Sequence, residues 1–400
     1  MNYHIMVQDK FLDSFIDDVY AINEEASNVF WFRGENSSLS HVKTNHPVEF
    51  LGNDKKYWEE KLSSLKPSDT IFVHWYDIWI SKLIYHLPNN IYVMLWGGEF
   101  YGEPFWYHQW LYDTLTLNYI REKNNYPQIK FTLNIINLLK NIKRTYFFYK
   151  ETQTQYKQKN KLIGRIDYFI FLEKNDNYYQ DYHKIKELYP SFKAININGF
   201  YDQNFDRAIL QNLSSKKNYT TVNILLGNSA AQTNNHLDAL EVLKKLQNIT
   251  VYCPLSYGGT QEYVDMVITR GKQLFGINFI PILNFMTREE YMEFYTSIDI
   301  IYMFHNRQQA FGNICTALTM GKPVFLKNQN TLKGYLDAMR IKTYDVNEIT
   351  SSKLIGIIKE SKESSKNNYE ILKLSISKEK RLSDLKVLFT EIKLKHTKKN

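Results

Sequence analysis

Four hundred residues, 44% hydrophobic and 23% charged, make a chain long enough for two or three globular domains and a large core without covalent staples. Two cysteines, Cys253 and Cys315, both in apolar stretches, exclude a disulfide scaffold and a zinc site and read as reduced core residues of a cytosolic protein. The net charge of +8 is uneven: Arg121 to Arg165 nets +9 and Lys378 to Asn400 nets +5, which leaves the rest of the chain at −6.

Met1-Asn2-Tyr3-His4 opens the chain without a basic region and a long apolar core behind it, so no signal peptide is expected. No apolar run approaches the roughly 18 residues that span a bilayer. From there β-rich runs alternate with amphipathic stretches of helical period. The first series of strands is predicted at 4–7, 29–33, 70–75, 91–96, 168–172 and 194–197, with helices such as 77–87 and 176–189 between them. Long helical connections between apolar strands imply a parallel sheet of βαβ units. The stretch 105–165 interrupts the alternation. It is long, aromatic and helical in pattern, and it carries the larger basic cluster.

A second series follows the polar stretch at 212–218. Its strands are predicted at 221–226, 250–253, 279–283, 300–304, 323–326 and 342–345, and its helices at 235–246, 261–275, 288–297 and 312–320. The chain thus reads as α/β, with two Rossmann-like, doubly wound parallel-sheet domains facing a cleft. The expected division is 1–205, with the basic helical insert 105–165, then 206–370, then a basic C-terminal helix or tail at 371–400. No G-x-G-x-x-G follows a strand and no Walker A lysine loop is present, which argues against a dehydrogenase and a P-loop NTPase.

Four constellations stand at predicted strand ends. In the first, Gly227-Asn228-Ser229 leads to Asn234, Asn235 and His236 at a helix start. Gly227 permits close backbone approach, Asn234 or Asn235 can cap the helix, and an exposed His236 would donate to a phosphate oxygen near the free N–H groups. An ordinary capped turn has the same composition. In the second, Arg307, Gln308 and Gln309 precede Gly312 and Asn313. The planar fork of Arg307 suits a diphosphate, and the glutamines can reach sugar hydroxyls. The third is Pro254 to Gly259, with Tyr257 and, in the next helix, Tyr263 as aromatics for a base or sugar; a simple glycine turn fits equally. The fourth comprises His74 within one predicted strand, Asp77 just after it, and Trp96-Gly97-Gly98-Glu99 at the end of the next. Glu99 is placed for general-base work, Asp77 doubles as a helix N-cap, and His74 doubles as a core histidine.

Together these segments resemble glycosyltransferase family 56, whose members move 4-acetamido-4,6-dideoxygalactose from a dTDP-sugar onto a polyprenyl-diphosphate-linked acceptor. The resemblance rests on Leu226-Gly227-Asn228-Ser229 with Asn234-Asn235-His236, Pro254 to Tyr257, Arg307-Gln308-Gln309 with Gly312, and Trp96-Gly97-Gly98-Glu99, and spans roughly residues 70–330. It implies a GT-B fold, an N-terminal acceptor domain, a C-terminal donor domain, no cofactor and no obligatory metal. Without an Asp-x-Asp motif at a strand end, the leaving diphosphate falls to Arg307, His236 and helix N-termini, and Glu99, then Asp77, would serve as base for an inverting displacement. The expected partners are a dTDP- or UDP-linked donor and a lipid-linked acceptor. Lys140, Lys143, Arg144 and Lys150, with Phe131 and Tyr146 to Tyr149, suit an anionic membrane surface, giving a peripheral location on the cytoplasmic face of the inner membrane. A GT-B sugar-nucleotide epimerase would share the nucleotide loops but not explain the basic insert. A nucleic-acid binder would use both basic patches but leave the polar strand tips unexplained, so no nucleic acid is expected.

Overall fold

The structure, a computed structural model, describes residues 1–9, 12–35, 42–96, 98–101, 105–124, 126, 135–172, 180–197 and 220–397. The chain forms two compact units. One comprises Met1–Tyr107, Lys150–Gln203 and Leu374–Asn400, and the other His108–Tyr149 and Asn204–Lys373. The expected boundary at 205–206, the polar stretch at 212–218, Phe131 and Gly97 lie outside the described residues.

The first unit holds seven strands: β1 (Asn2–Met6), β2 (Asn28–Phe32), β3 (Glu49–Phe50), β4 (Thr70–His74), β5 (Asn90–Met94), β6 (Tyr168–Leu172) and β7 (Ala194–Ile197). Their order is β3-β2-β1-β4-β5-β6-β7, and every neighbouring pair is parallel. The order reverses between β1 and β4. All five residues of β4 are buried, as a parallel sheet covered on both faces requires. β3 was not foreseen, because two residues carry no period.

The basic C-terminal stretch is a docked helix rather than a loose tail. Leu385, Leu388, Phe389 and Ile392 of the helix Lys378–Thr397 share a core with Met6, Phe15, Phe30 and Phe72. Arg381 is buried in an ion pair with Asp18, so this cation is spent inside the unit. Removing either partner would strand a buried charge, at a cost of about 3–5 kcal/mol.

The second unit holds six parallel strands: β8 (Val222–Leu226), β9 (Ile249–Pro254), β10 (Phe279–Ile282), β11 (Ile300–Met303), β12 (Val324–Leu326) and β13 (Tyr344–Asp345). Their order is β10-β9-β8-β11-β12-β13, which reverses between β8 and β11. The core gathers Ile224, Leu226, Leu240, Val251, Tyr302 and Phe325. Cys253 and Cys315 are free and buried, and burial pushes both thiols up.

The expected insert 105–165 is divided between the units. Residues 110–116 are tied into the second one: Asp113 N–H donates to Asn235 Oδ1 at 2.8 Å, and the N–H groups of Leu115 and Thr116 donate to the Asp238 carboxylate at 2.8 and 2.9 Å. Asn306 Nδ2 donates to the Trp110 carbonyl at 3.0 Å. The buried Lys327 pairs with Asp113 and lies 4.1 Å from the Phe304 ring centroid. Burial pulls its ammonium below the usual lysine value, while Asp113 holds the charge.

Candidate functional site

In the second unit the loops that follow β8 and β11 flank the point where the strand order reverses, the place where open α/β sheets take ligands. Gly227 N–H donates to Tyr302 O at 3.0 Å, which carries the pairing one residue beyond β8. The helices His236–Leu243 and Phe311–Thr319 start from Asn235 and Ala310, both left-handed, with φ of 52° and 58°. Asparagine tolerates that conformation; alanine there is strained, and such strain clusters at functional sites. Neither helix has a side-chain cap, so the positive ends of both dipoles face the loops without one.

Gln309 holds the two loops together. Its Nε2 donates to Asn228 Oδ1 and its Oε1 accepts from Thr233 Oγ1, both at 2.8 Å. Asn330, which sequence reasoning missed, fixes the second loop: its Nδ2 donates to the His305 carbonyl at 2.8 Å and the Arg307 carbonyl at 3.1 Å, while its Oδ1 accepts from Leu332 N–H. Only a helix N-cap signal at Asn330 could have hinted at it. Arg307, Gln308, Gly312 and Asn313 are half-buried here. Arg307 Nη1 donates to the Gln308 carbonyl at 2.7 Å.

His236 differs from the expected exposed donor. It is fully buried, and burial lowers its pKa to about 3. Its Nε2 has no hydrogen-bond partner among the described residues. A side chain on Gly227, whose φ is +71°, would begin 3.1 Å from that nitrogen and 2.9 Å from Asn234 Oδ1. Asn234 and His236 thus close directly over the glycine, and only a residue without a side chain fits beneath them. At the ring's other end Nδ1 lies 3.3 Å from the Tyr263 hydroxyl. Tyr263 is therefore not a stacking platform: it is buried behind His236.

Ser229 and Asn234 also face inward. Asn234 Nδ2 donates to the Ser229 carbonyl at 3.0 Å, and Asn234 Oδ1 accepts from Asn228 N–H at 3.3 Å. The glycines after Tyr257 serve a neighbouring loop rather than a ligand. A Cβ on Gly259 would stand 2.3 Å from the Ala230 carbonyl oxygen, and Ala230 N–H donates to Tyr257 O at 2.7 Å. Tyr257 itself is 48% exposed, with its ring centroid 6.5 Å from that of Phe285.

In the first unit the strand tips carry the carboxylates. Asp77 caps the helix Ile78–Ile84 through Ile80 N–H and pairs with Arg33, another residue missed from sequence, at 2.8 Å. Glu99 lies on the short helix Gly98–Tyr101 and turns back, its Oε1 accepting from Trp96 N–H at 3.1 Å. It thus has a local structural partner that the sequence did not suggest. Trp75 is left-handed with φ of 103°, and a Cβ on Gly98 would stand 3.0 Å from its ring. His74 is the last residue of β4 and takes the core-histidine reading. It is buried inside β4, its Nε2 2.9 Å from His4 Nδ1, and burial holds it well below the usual histidine value.

On the helix Ile135–Gly164, Lys140, Lys143, Arg144 and Lys150 are exposed, and so are Ile136, Leu139, Ile142, Tyr146, Phe147 and Tyr149. Phe148 instead packs on Tyr126, ring centroids 5.2 Å apart. Among the described residues no helix is long and apolar enough to cross a membrane, and no three of His, Cys, Asp and Glu gather as a metal ion would need.

Comparison with known proteins agrees with this architecture. The family of 4-alpha-L-fucosyltransferases, glycosyl transferase group 56, matches residues 181–375, which include the loops after β8 and β11 but not Asp77 or Glu99. Among solved structures, sucrose-phosphate synthase from Thermosynechococcus elongatus is 7% identical, with a TM-score of 0.61 over 98% of this chain and 99% of that one. Anabaena HepE in complex with UDP-glucose is 12% identical, with a TM-score of 0.58 over 98% and 100%. The UDP-forming trehalose-phosphate synthase of Burkholderia vietnamiensis is 10% identical, with a TM-score of 0.55 over 97% and 100%. These likenesses give the fold, GT-B; residues 181–375 are similar to glycosyltransferase group 56, and the chain is a glycosyltransferase.

Proposed function

We propose that the enzyme moves a deoxy or acetamido sugar, 4-acetamido-4,6-dideoxygalactose from its dTDP donor, onto a polyprenyl-diphosphate-linked saccharide in surface polysaccharide assembly. The observation that carries the donor half is the pair of uncapped helix starts at Asn235 and Ala310, where the loops after β8 and β11 meet through Gln309. The UDP-glucose held by HepE supports a nucleotide diphosphate as the ligand class. The leaving diphosphate meets the first-turn N–H groups, His236 and Arg307. Displacement by an acceptor hydroxyl from the opposite side inverts the anomeric carbon, and Glu99 takes the hydroxyl proton. Incubation with dTDP- and UDP-sugars and a lipid-linked acceptor tests the whole reading. Glu99→Gln should keep donor binding and lose transfer by roughly 10²–10⁴-fold. A mild Glu99→Gln beside an inactive Asp77→Asn would move the base to Asp77.

The acceptor's lipid also places the enzyme peripherally at the inner face of the plasma membrane. The exposed face of the helix Ile135–Gly164 supports this: apolar and aromatic side chains alternate with cations along it, as in helices that lie in the interface. Each cation contributes about 1 kcal/mol near an anionic surface. Changing Lys140, Lys143, Arg144 and Lys150 together to Glu should release the protein from anionic vesicles and leave nucleotide binding intact. Vesicle binding that survives this reversal, or that ignores salt, would remove the helix from the reading.

A further inference from the structure

The first unit holds a cavity of about 460 Å³ at the edge of its sheet where the strands begin. Its walls come from the last turns of the helix Ile135–Gly164, from Tyr85 in the turn that leads into β5, and from Ser191 in the turn that leads into β7. Asp77 and Glu99 follow the ends of β4 and β5, so the cavity lies at the opposite edge of the sheet from both carboxylates. Pockets that hold small organic ligands have volumes of roughly 300–1,000 Å³.

The acceptors around this cavity are already taken. Arg165 donates to the carbonyls of Tyr85 and Asn89, at 3.1 and 2.8 Å, and to that of Leu87. Its Nη1 lies 3.6 Å from Asp167, whose carboxylate also accepts from Ile91 N–H. Lys186 donates to the Pro190 and Phe192 carbonyls at 2.7 and 2.6 Å and so fixes the turn that carries Ser191. The Tyr156 hydroxyl donates to the Leu188 carbonyl at 2.5 Å. The Leu162 and Ile163 carbonyls accept from the N–H groups of Arg165 and Ile166, which damps the negative end of the helix dipole, about half a charge. Donors are what is left. Lys157 and Lys161 line the cavity, and neither has a carboxylate partner among the described residues. Asn160 Oδ1 is buried without a partner, so the open end of that amide is Nδ2. The Ser191 hydroxyl makes no hydrogen bond among the described residues, and no carboxylate among them lines the cavity.

Ammonium groups, an amide N–H and a hydroxyl around one volume, with no free acceptor opposite them, suit an anion rich in oxygen. The rings limit what carries that anion. Tyr156 stacks on Tyr107 and Tyr189, with centroids 4.6 and 5.8 Å away, and Lys161 Nζ lies 5.1 Å from the Tyr85 centroid. Both rings are engaged, which speaks against a second nucleotide. We infer that this cavity binds the phosphate of a small hydroxylated phosphoester, with Lys157 and Lys161 as its cations and Asn160 and Ser191 as its neutral donors. A soluble sugar or glycerol phosphate and the headgroup of an anionic glycerophospholipid share this chemistry. The inference does not depend on the donor reading.

Calorimetric titration of the full chain with glycerol 3-phosphate and glucose 1-phosphate at low salt tests the site. The expected result is one saturable site per chain for at least one of them, weakened by about tenfold or more when Lys157→Glu and Lys161→Glu are combined. Lys140→Glu with Lys143→Glu makes the same change of charge on the same helix outside the cavity and should leave the affinity as it was. All of these lysines are exposed, so both double variants should fold. Ser191→Ala, which alters no charge, should weaken binding by a smaller factor, and full affinity there takes the hydroxyl out of the proposal. Phosphatidylglycerol vesicles then name the source. Vesicles that displace the bound ester make it a lipid headgroup, and vesicles that do not make it a soluble phosphoester. No saturable binding of either ester overturns the proposal. Equal loss in the two lysine pairs overturns it by showing diffuse attraction, and binding abolished by saturating UDP-glucose overturns it by placing the phosphate in the loops of the second unit.

Discussion

Each sheet carries a pair of buried histidines where its strand order reverses, and the two pairs behave differently. In the first unit His4 on β1 and His74 on β4 bond to one another at 2.9 Å, and His4 Nε2 meets Asn28 Oδ1 at 2.8 Å. In the second unit His236 follows β8 and His305 follows β11, and the Nε2 of each has no hydrogen-bond partner among the described residues. All four are fully buried, so burial does not separate them. Position does. A side chain inside a parallel strand points into a covered face, where only another core group can satisfy it. His305 stands two residues beyond β11 and His236 at a helix start ten residues beyond β8; there the backbone has left the ladder, and one ring nitrogen can be left for a ligand. The same residue type is glue in one sheet and a contact in the other.

Acid should act on both pairs, and it is the largest effect expected. Burial holds His4 at about 4, His236 and His305 at about 3, and His74 well below its ordinary value. The unfolded chain binds these protons at about pH 6.5, so below that the unfolded state carries more protons and stability is lost as pH falls. At about pH 5 each histidine costs on the order of 2 kcal/mol, and four together approach the whole margin of a typical domain. Thermal unfolding of the ligand-free protein from neutral pH downward checks this. A flat melting temperature to about pH 5 would mean that the rings are not held neutral. A saturating sugar nucleotide should blunt the loss, because a ligand that binds only the folded state raises its stability.

The alternation of strands and helices, the two doubly wound sheets and the loops at their tips were legible, because period and turn chemistry are local. What the side chains do inside those loops was not. His236 looked exposed because a first-turn position is usually solvated; here residues 110–116 hydrogen-bond over the same helix start through Asn235 and Asp238. Tyr263 looked like a stacking platform for the same reason. Glu99 seemed free of local duty, since nothing in the sequence shows that its short helix lets it reach back to Trp96. Asn330 and Arg33 were missed because each acts on a residue distant in sequence, the 305–307 turn and Asp77. The docking of the C-terminal helix depends on Asp18, 363 residues away.

Substitution separates the two pairs more finely. His74→Ala removes a ring packed against Phe15 and leaves His4 Nδ1 without its partner. A cavity plus an unsatisfied buried group should cost roughly 2–4 kcal/mol of stability by denaturant unfolding, with nucleotide affinity unchanged. His236→Gln should show the reverse, a small change in stability and a loss of nucleotide affinity. If His74→Ala weakened nucleotide binding as much as stability, the first pair would be more than glue.

The smallest effect tests the ground over Gly227 itself, and glycines elsewhere supply the controls. Gly227, Gly276 and Gly52 are all left-handed, with φ of +71°, +57° and +65°. Alanine at any of them should cost about 1–2 kcal/mol of stability, because a Cβ disfavours that conformation. The surroundings differ. A Cβ on Gly276 or Gly52 would meet nothing within 4 Å, whereas on Gly227 it would stand 2.9 Å from Asn234 Oδ1 and 3.1 Å from His236 Nε2. Gly276→Ala and Gly52→Ala should therefore lose stability alone. Gly227→Ala should lose more, because Asn234 or His236 must also give way, and should in addition bind sugar nucleotides more weakly, because that shift disturbs the backbone and ring that would receive the diphosphate. The comparison removes backbone strain from the reading, since all three variants carry it. Equal nucleotide affinity in the three variants would mean that the diphosphate does not sit over Gly227, and the open nitrogen of His236 would then face an empty corner of the loop.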